Sequence, residues 1–211
     1  MKHHRYTNKT GFVTVQGSNS GGRYKSQLEL HGCMGKVMDP AVKTVRLQEP
    51  MIRYINARGK KSRYTGDLKI EWHNPSLCPQ VIEVKYKRDL KRDPNLAIKH
   101  ELLRVAFAEQ GVEFLVYTED QIHAPEFEMK RFVFGYRNNP PSAFDEDIMT
   151  VMRRHGTISL GDLLAVVAGT NTYAQALVTP AVWRLVSIHA LRVDFTKILD
   201  ATAKITLPAA L

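Results

Sequence analysis

Between Gly66 and Trp72 the chain alternates strictly, with Leu68, Ile70 and Trp72 set against Asp67, Lys69 and Glu71. A period of two puts the apolar set on one face of a half-buried strand and the polar set on the other. Residues 80–87 repeat the pattern, opposing Ile82, Val84 and Tyr86 to Glu83, Lys85 and Lys87. The segment between them, 73–79, carries Pro75 and Pro79 and reads as a loop. Upstream, residues 26–36 read as a short helix and residues 42–45 and 51–55 as strands. Asn56-Ala57-Arg58-Gly59-Lys60 reads as a hairpin turn, because Asn and Gly tolerate the backbone angles it needs. Downstream, residues 95–110 form an amphipathic helix closed by Gly111, and residues 112–118 a mostly apolar strand.

Asn138-Asn139-Pro140-Pro141-Ser142 breaks the periodicity and marks a domain boundary. Beyond it, residues 145–155 read as a helix, and Ser159-Leu160-Gly161-Asp162 as the cap that opens a second. Pro180 stands at the expected start of a third, running over residues 181–189, and residues 191–195 read as a strand. Three helices and a short strand suggest a winged helix over residues 143–211. Residues 1–25, rich in Gly, Ser, Asn and Lys, read as a basic N-terminal arm. The domain between, residues 26–137, holds the alternating strands.

Composition narrows the class. Hydrophobic residues make up 44% of the 211, enough for a buried core, and no apolar run reaches the length of a membrane span. A soluble, cytoplasmic protein is expected. Cys33 and Cys78 stand far apart without a CxxC partner, so neither a disulfide framework nor a zinc site follows. The net charge is +9, and its distribution is one-sided: residues 1–100 carry 20 Lys+Arg against 8 Asp+Glu, residues 101–211 carry 10 against 13. A basic surface confined to one half attracts polyanions, nucleic acid above all. Its candidate members are Arg58, Lys60, Lys61, Arg63, Lys87, Arg88, Lys91 and Arg92. Residues 138–211 balance 6 Lys+Arg with 6 Asp+Glu, poor electrostatics for holding phosphates and better suited to docking a protein.

If the two alternating strands pair as an antiparallel hairpin about a turn near Ser76, Asp67 falls opposite Lys85. Asp67, Glu83 and Lys85 then share one side of the sheet. Two carboxylates at one spot suit a hard cation such as Mg²⁺, which polarises a phosphodiester and acidifies a water. A neighbouring Lys orients that water or neutralises developing charge. This is the D…(D/E)-x-K pattern of a large nuclease superfamily. An exposed strand face bearing E-x-K is also common, so spacing alone leaves a solvated sheet face equally open. Glu29, Gln48 and His31, taken singly, read as ordinary surface or loop residues, and His3 and His4 as part of an unstructured end.

Several segments, in order, resemble the TnsA family, the endonuclease subunit of heteromeric cut-and-paste transposons. They are Ser26-Gln27-Leu28-Glu29, Asp39-Pro40-Ala41-Val42, Gln48-Glu49-Pro50, Arg63-Tyr64-Thr65-Gly66-Asp67, Val81-Ile82-Glu83-Val84-Lys85, Phe114-Leu115-Val116-Tyr117-Thr118-Glu119 and Pro180-Ala181-Val182-Trp183-Arg184-Leu185. The resemblance implies a restriction-endonuclease-like α/β fold, a mixed sheet flanked by helices, followed by a small winged-helix domain. It implies catalysis by Glu29, Asp67, Glu83 and Lys85, with Glu29, Asp67 and Glu83 holding Mg²⁺, for which Mn²⁺ can substitute. It also implies partners: double-stranded DNA at transposon ends, a TnsB-like DDE transposase, and a TnsC-like AAA+ regulator engaged through the C-terminal domain. Lys25 stands where the family often has Glu, and Gly66 where Pro usually precedes the Asp, which is expected to loosen the turn presenting Asp67. A stand-alone nuclease of the same superfamily and a non-catalytic DNA-binding assembly subunit are the alternatives.

Overall fold

A computed structural model of the chain describes residues 10–15 and 20–208. In order, the elements are β1 (Gly11–Val15), β2 (Ser20–Tyr24), α1 (Gln27–Val37), β3 (Val42–Leu47), β4 (Met51–Ile55), β5 (Lys61–Thr65), β6 (Leu68–Trp72), β7 (Gln80–Val84), α2 (Lys87–Arg92), α3 (Asn95–Ala108), β8 (Glu113–Tyr117), α4 (Glu119–Ile122), α5 (Phe127–Phe134), α6 (Asp145–His155), β9 (Thr157–Ser159), α7 (Leu160–Ala168), α8 (Thr172–Ser187) and β10 (Lys204–Thr206). His3 and His4 lie outside the described residues. Among those described, no helix is long and apolar enough to cross a membrane.

The chain divides into two compact units, Met1–Ala124 and Pro125–Leu211. The expected boundary at residues 138–142 falls inside the second unit, because α5 packs against α8. Phe132 of α5 meets the Trp183 ring edge-on at 5.8 Å. The first unit is built on a six-stranded sheet of order β1-β2-β3-β6-β7-β8, with β4 and β5 forming a separate hairpin. The sheet is mixed: β2–β3 and β7–β8 run parallel, and the remaining neighbours antiparallel. Helix α1 packs against β3 and β6, and α3 against β8 and β4. This is the mixed α/β architecture of a restriction-endonuclease-like fold.

Alternation accounts for β6, where Leu68 and Ile70 are fully buried. Strand β7 is buried on both faces: Val81, Ile82, Glu83 and Val84 are all buried. Val81 joins Ile52, Tyr64, Leu103, Phe107 and Phe114 in a core cluster. The strand ends earlier than alternation predicts. Lys85 N–H makes the last ladder bond, to Tyr117 O at 3.0 Å, and Tyr86 turns the chain into α2. Two segments of the expected N-terminal arm are strands, β1 and β2.

The second unit holds α5, α6, α7 and α8, with β9 and β10 paired antiparallel. Ser159 caps α7 as expected, accepting from Asp162 N–H at 3.1 Å. Pro180 lies inside α8 rather than at its start. The true cap is Asn171, whose side chain accepts from Tyr173 and Ala174 N–H at 2.9 and 3.2 Å. A proline forfeits one ladder bond, which a long, well-capped helix tolerates. The strand expected at 191–195 reduces to one bridge, Arg192 with Thr206. Asp194 then turns the chain, its carboxylate accepting from Thr196 N–H at 3.0 Å.

Candidate active site

Helix α1 opens on Ser26, whose hydroxyl oxygen accepts from Glu29 N–H at 3.1 Å and donates to Glu29 Oε1 at 3.0 Å. Ser-x-x-Glu is the capping-box spacing, so local sequence alone fixes the first turn. Glu29 is nonetheless only 6% exposed, because its Oε2 turns inward to accept from Lys25 N–H and from the Gln48 amide at 2.9 and 3.0 Å. The same Gln48 nitrogen lies 3.4 Å from Asp67 Oδ1. One amide therefore links a helix carboxylate to a strand carboxylate.

Gln48 follows β3 with φ +58°. That region disfavours side chains with a Cβ, and its use by glutamine marks a residue held by its surroundings. Its own N–H donates to Asp67 O at 2.9 Å, so backbone and side chain both tie it to Asp67. Gln48 Oε1 is buried without a donor among the described residues. Sequence reading took Gln48 for a loop residue. The signal available was its place between a buried strand and Glu49-Pro50.

Asp67 precedes β6 and is 9% exposed, its Oδ2 accepting from Val84 N–H at 2.8 Å. The β6–β7 register pairs Leu68 with Ile82, which sets Asp67 level with Glu83. The expected partner was Lys85, two residues further on. The shared face survives the correction, since Glu83 and Lys85 have the same parity. Gly66 is tight rather than loose: a Cβ there would lie 2.5 Å from Val81 Cγ1 and 2.8 Å from Glu49 O. Its N–H donates to Pro50 O at 3.2 Å.

Glu83 is 3% exposed, and both its oxygens are engaged. Lys85 Nζ approaches Oε1 at 2.8 Å, and the Tyr64 hydroxyl donates to Oε2. Tyr64 comes from the inner face of β5 and was not foreseen; its burial between Phe107 and Phe114 is what alternation through the hairpin implies. Lys99 Nζ sits 5.0 Å from the Tyr64 ring centroid.

Burial, then the Glu83 charge, push Asp67 up to about 7, against the Val84 N–H and Lys85. Burial also works to raise Glu83, but Lys85, Tyr64 and Lys99 outweigh it and hold that carboxyl below the usual range. Burial disfavours the Lys85 ammonium, yet Glu83, with Asp67 and Glu29 behind it, raises its pKa. Burial and Glu83 likewise push the Tyr64 phenol up, so it remains a donor. Ionising Asp67 here leaves the pocket with more buried negative charge than its lysine balances. Such a surplus, set beside the donorless Gln48 oxygen, suits a hard divalent cation. Among the described residues, no three His, Cys, Asp or Glu side chains already stand in ligand geometry. Gln48, Lys85 and Tyr64 occupy the carboxylate oxygens instead.

The expected basic residues divide between two elements. Arg58 and Lys60 lie in the β4–β5 turn, and Lys61 and Arg63 on β5. Lys87, Arg88, Lys91 and Arg92 belong to α2, where Lys87 pairs with Asp120 and Arg88 lies over the Tyr86 ring. Cys33 is buried and Cys78 exposed, both free. His31 hydrogen-bonds His123 at 2.8 Å, away from the carboxylates' own bonds.

No curated protein matches the chain. A family model does, over residues 39–119, and that span contains Gln48, Tyr64, Asp67, Glu83 and Lys85 but not Glu29. Its description is TnsA-like endonuclease N terminal, and over this segment the chain is similar to that domain.

Proposed function

We propose that the protein is the metal-dependent endonuclease subunit of a heteromeric transposase, hydrolysing the 5′ strands at transposon ends. The observation that carries this reading is the junction of buried Glu29, Asp67 and Glu83 with half-buried Lys85, within and beside a TnsA-like endonuclease segment. Glu29, Asp67 and Glu83 would hold Mg²⁺, or Mn²⁺ in its place. When bound, the cation supplies Lewis-acid polarisation of the phosphodiester and an acidified water. Lys85, kept protonated by Glu83, is a donor rather than a base. It orients the attacking water and offsets charge growing on the phosphate. Glu83 keeps its charge through Lys85 and Tyr64. Asp67, pushed up to about 7, is partly protonated at neutral pH and must ionise to serve as a ligand. Gln48 keeps Glu29 and Asp67 at one spacing.

The second unit we assign as a winged helix, on its order of helix, strand, helix, helix and strand from α6 to β10. Its balanced charge suits docking to a TnsC-like AAA+ regulator, while the nuclease unit works beside a TnsB-like DDE transposase on double-stranded DNA. The test is a reconstituted reaction with the transposase, transposon-end DNA and Mg²⁺, resolving 5′- and 3′-strand cuts. Glu83→Ala and Asp67→Ala are expected to abolish 5′ cuts and spare 3′ cuts. Persistence of 5′ cuts would refute the assignment, and cutting by the isolated chain would place it among stand-alone nucleases.

A further inference from the structure

Hairpin β4–β5 carries five basic residues between 51 and 66, Arg53, Arg58, Lys60, Lys61 and Arg63, and no acidic one. The register sets Arg53 directly opposite Arg63, and Ile55 opposite Lys61. Like charges at facing positions destabilise a two-stranded ribbon. All five are exposed, and none forms an ion pair among the described residues. Some other bases of this unit have acidic partners: Arg46 pairs with Glu49, Lys87 with Asp120 and Arg104 with Glu101. The hairpin is thus a continuous strip of positive charge with no acidic residue of its own.

Its two faces differ sharply. Ile52 and Tyr64 point inward to the core cluster with Val81, Phe107 and Phe114. Arg53, Lys61 and Arg63 point outward. A two-stranded ribbon, with strands about 4.8 Å apart, fits a major groove about 12 Å wide. Arg63 and Tyr64 are adjacent on β5 and face opposite ways, Tyr64 inward to Glu83 and Arg63 outward to solvent.

We propose that the β4–β5 hairpin is a duplex-DNA-binding ribbon, docking through Arg53 and Arg63 with Arg58, Lys60 and Lys61. This rests on the reading of the chain as a DNA endonuclease. Charge complementarity favours a polyanion, and the nuclease site fixes which one.

The test is fluorescence anisotropy of the full chain with a labelled 30-base-pair duplex in EDTA, across a salt series. Each phosphate contact contributes a slope of about 0.9 in log K against log salt. Arg53→Gln/Arg63→Gln should lower the slope by about two and weaken binding at least tenfold at low salt. Arg58→Gln/Lys60→Gln, at the turn, should do the same if each residue holds a phosphate. Arg153→Gln/Arg154→Gln, an equal charge loss in the second unit, should leave the slope unchanged. Hairpin variants with wild-type slope, a loss equal to the control's, or equal binding of single strands would overturn the proposal. Glu83→Gln separates the two readings. If it abolishes cleavage while the hairpin variants bind normally, the ribbon fails and the nuclease assignment stands. If it cuts normally while the hairpin variants lose slope, only the nuclease assignment fails.

Discussion

Asp67→Asn should make the metal-free protein more stable above neutral pH. Asparagine keeps the shape of the side chain and an oxygen to accept the Val84 N–H now bonded at 2.8 Å. What it removes is the charge. The Asp67 carboxyl lies near 7 in the folded chain, raised first by burial and then by Glu83; unfolded, it titrates near 3.9. A group whose folded pKa is raised stabilises the fold below the unfolded value and loses that contribution as pH climbs through the folded one. The loss therefore develops between about pH 4 and 7. Three units correspond to about 4 kcal/mol as an upper bound, and sharing of the shift with Glu83 brings the expected value to ~2–4 kcal/mol. Urea denaturation of wild type and variant in EDTA at pH 5 and pH 8 measures it. Groups such as His100, which burial holds below its ordinary pKa, titrate alike in both proteins and cancel in the comparison. The variant should hold its stability over that range where wild type declines. Mg²⁺ should narrow the gap at pH 8, a cation at ten times its Kd returning about 1.4 kcal/mol. Parallel pH profiles for the two proteins in EDTA would refute the reasoning.

Substitutions at three further positions probe the scaffold of the site. Gln48→Gly relieves the φ of +58° but deletes the amide between Glu29 and Asp67. The lost donor should cost about 1–3 kcal/mol, offset in part by the relieved φ, while 5′ cleavage falls at least tenfold; equal cleavage would deny Gln48 a positioning role. Tyr64→Phe leaves Glu83 Oε2 buried without its donor, at a cost of about 1–3 kcal/mol. It should also move the acid limb of the cleavage profile to higher pH, and an unmoved limb would remove Tyr64 from the Glu83 environment. Gly66→Ala drives a Cβ to 2.8 Å from Glu49 O and should destabilise by about 1–3 kcal/mol in thermal melts. Gly66→Pro should cost more, since it also loses the N–H bond to Pro50 O.

Alternation, strict in β6 and partial in β7, made both strands legible, and with them the shared side of Asp67 and Glu83. Alternation carries no register, however. Pairing Ile70 with Gln80 leaves nine residues between them, and nothing in Asn74-Pro75-Ser76 says where that loop is centred. The facing residue was therefore misplaced by two. Strand β2 was illegible for another reason. Gly21 and Gly22 take φ of +114° and +132°, and a Cβ on Gly21 would meet Val13 O at 2.3 Å. Close approach to β1 requires glycine, the residue that propensity reads as loop. In α8, Pro180 outweighed the better signal of Asn171, because a proline is conspicuous and a cap is not.

The parts of the site that sequence hid are those that depend on long-range contact. Glu29 is legible as a capping acid, and Ser26 alone explains its position in the helix. It becomes a site residue only because Gln48, nineteen positions away, turns its amide between Glu29 and Asp67. Tyr64 reaches Glu83 across the same separation, from a hairpin outside the main sheet. Neither residue bears a charge, and neither fits a pattern of acids and lysines. Yet a charged cluster this buried is tolerable only with such neutral donors, since each unmet carboxylate oxygen costs about 1–3 kcal/mol or more. A search for candidate catalytic residues by charge finds Asp67, Glu83 and Lys85. Asking what keeps those charges buried then finds Gln48 and Tyr64.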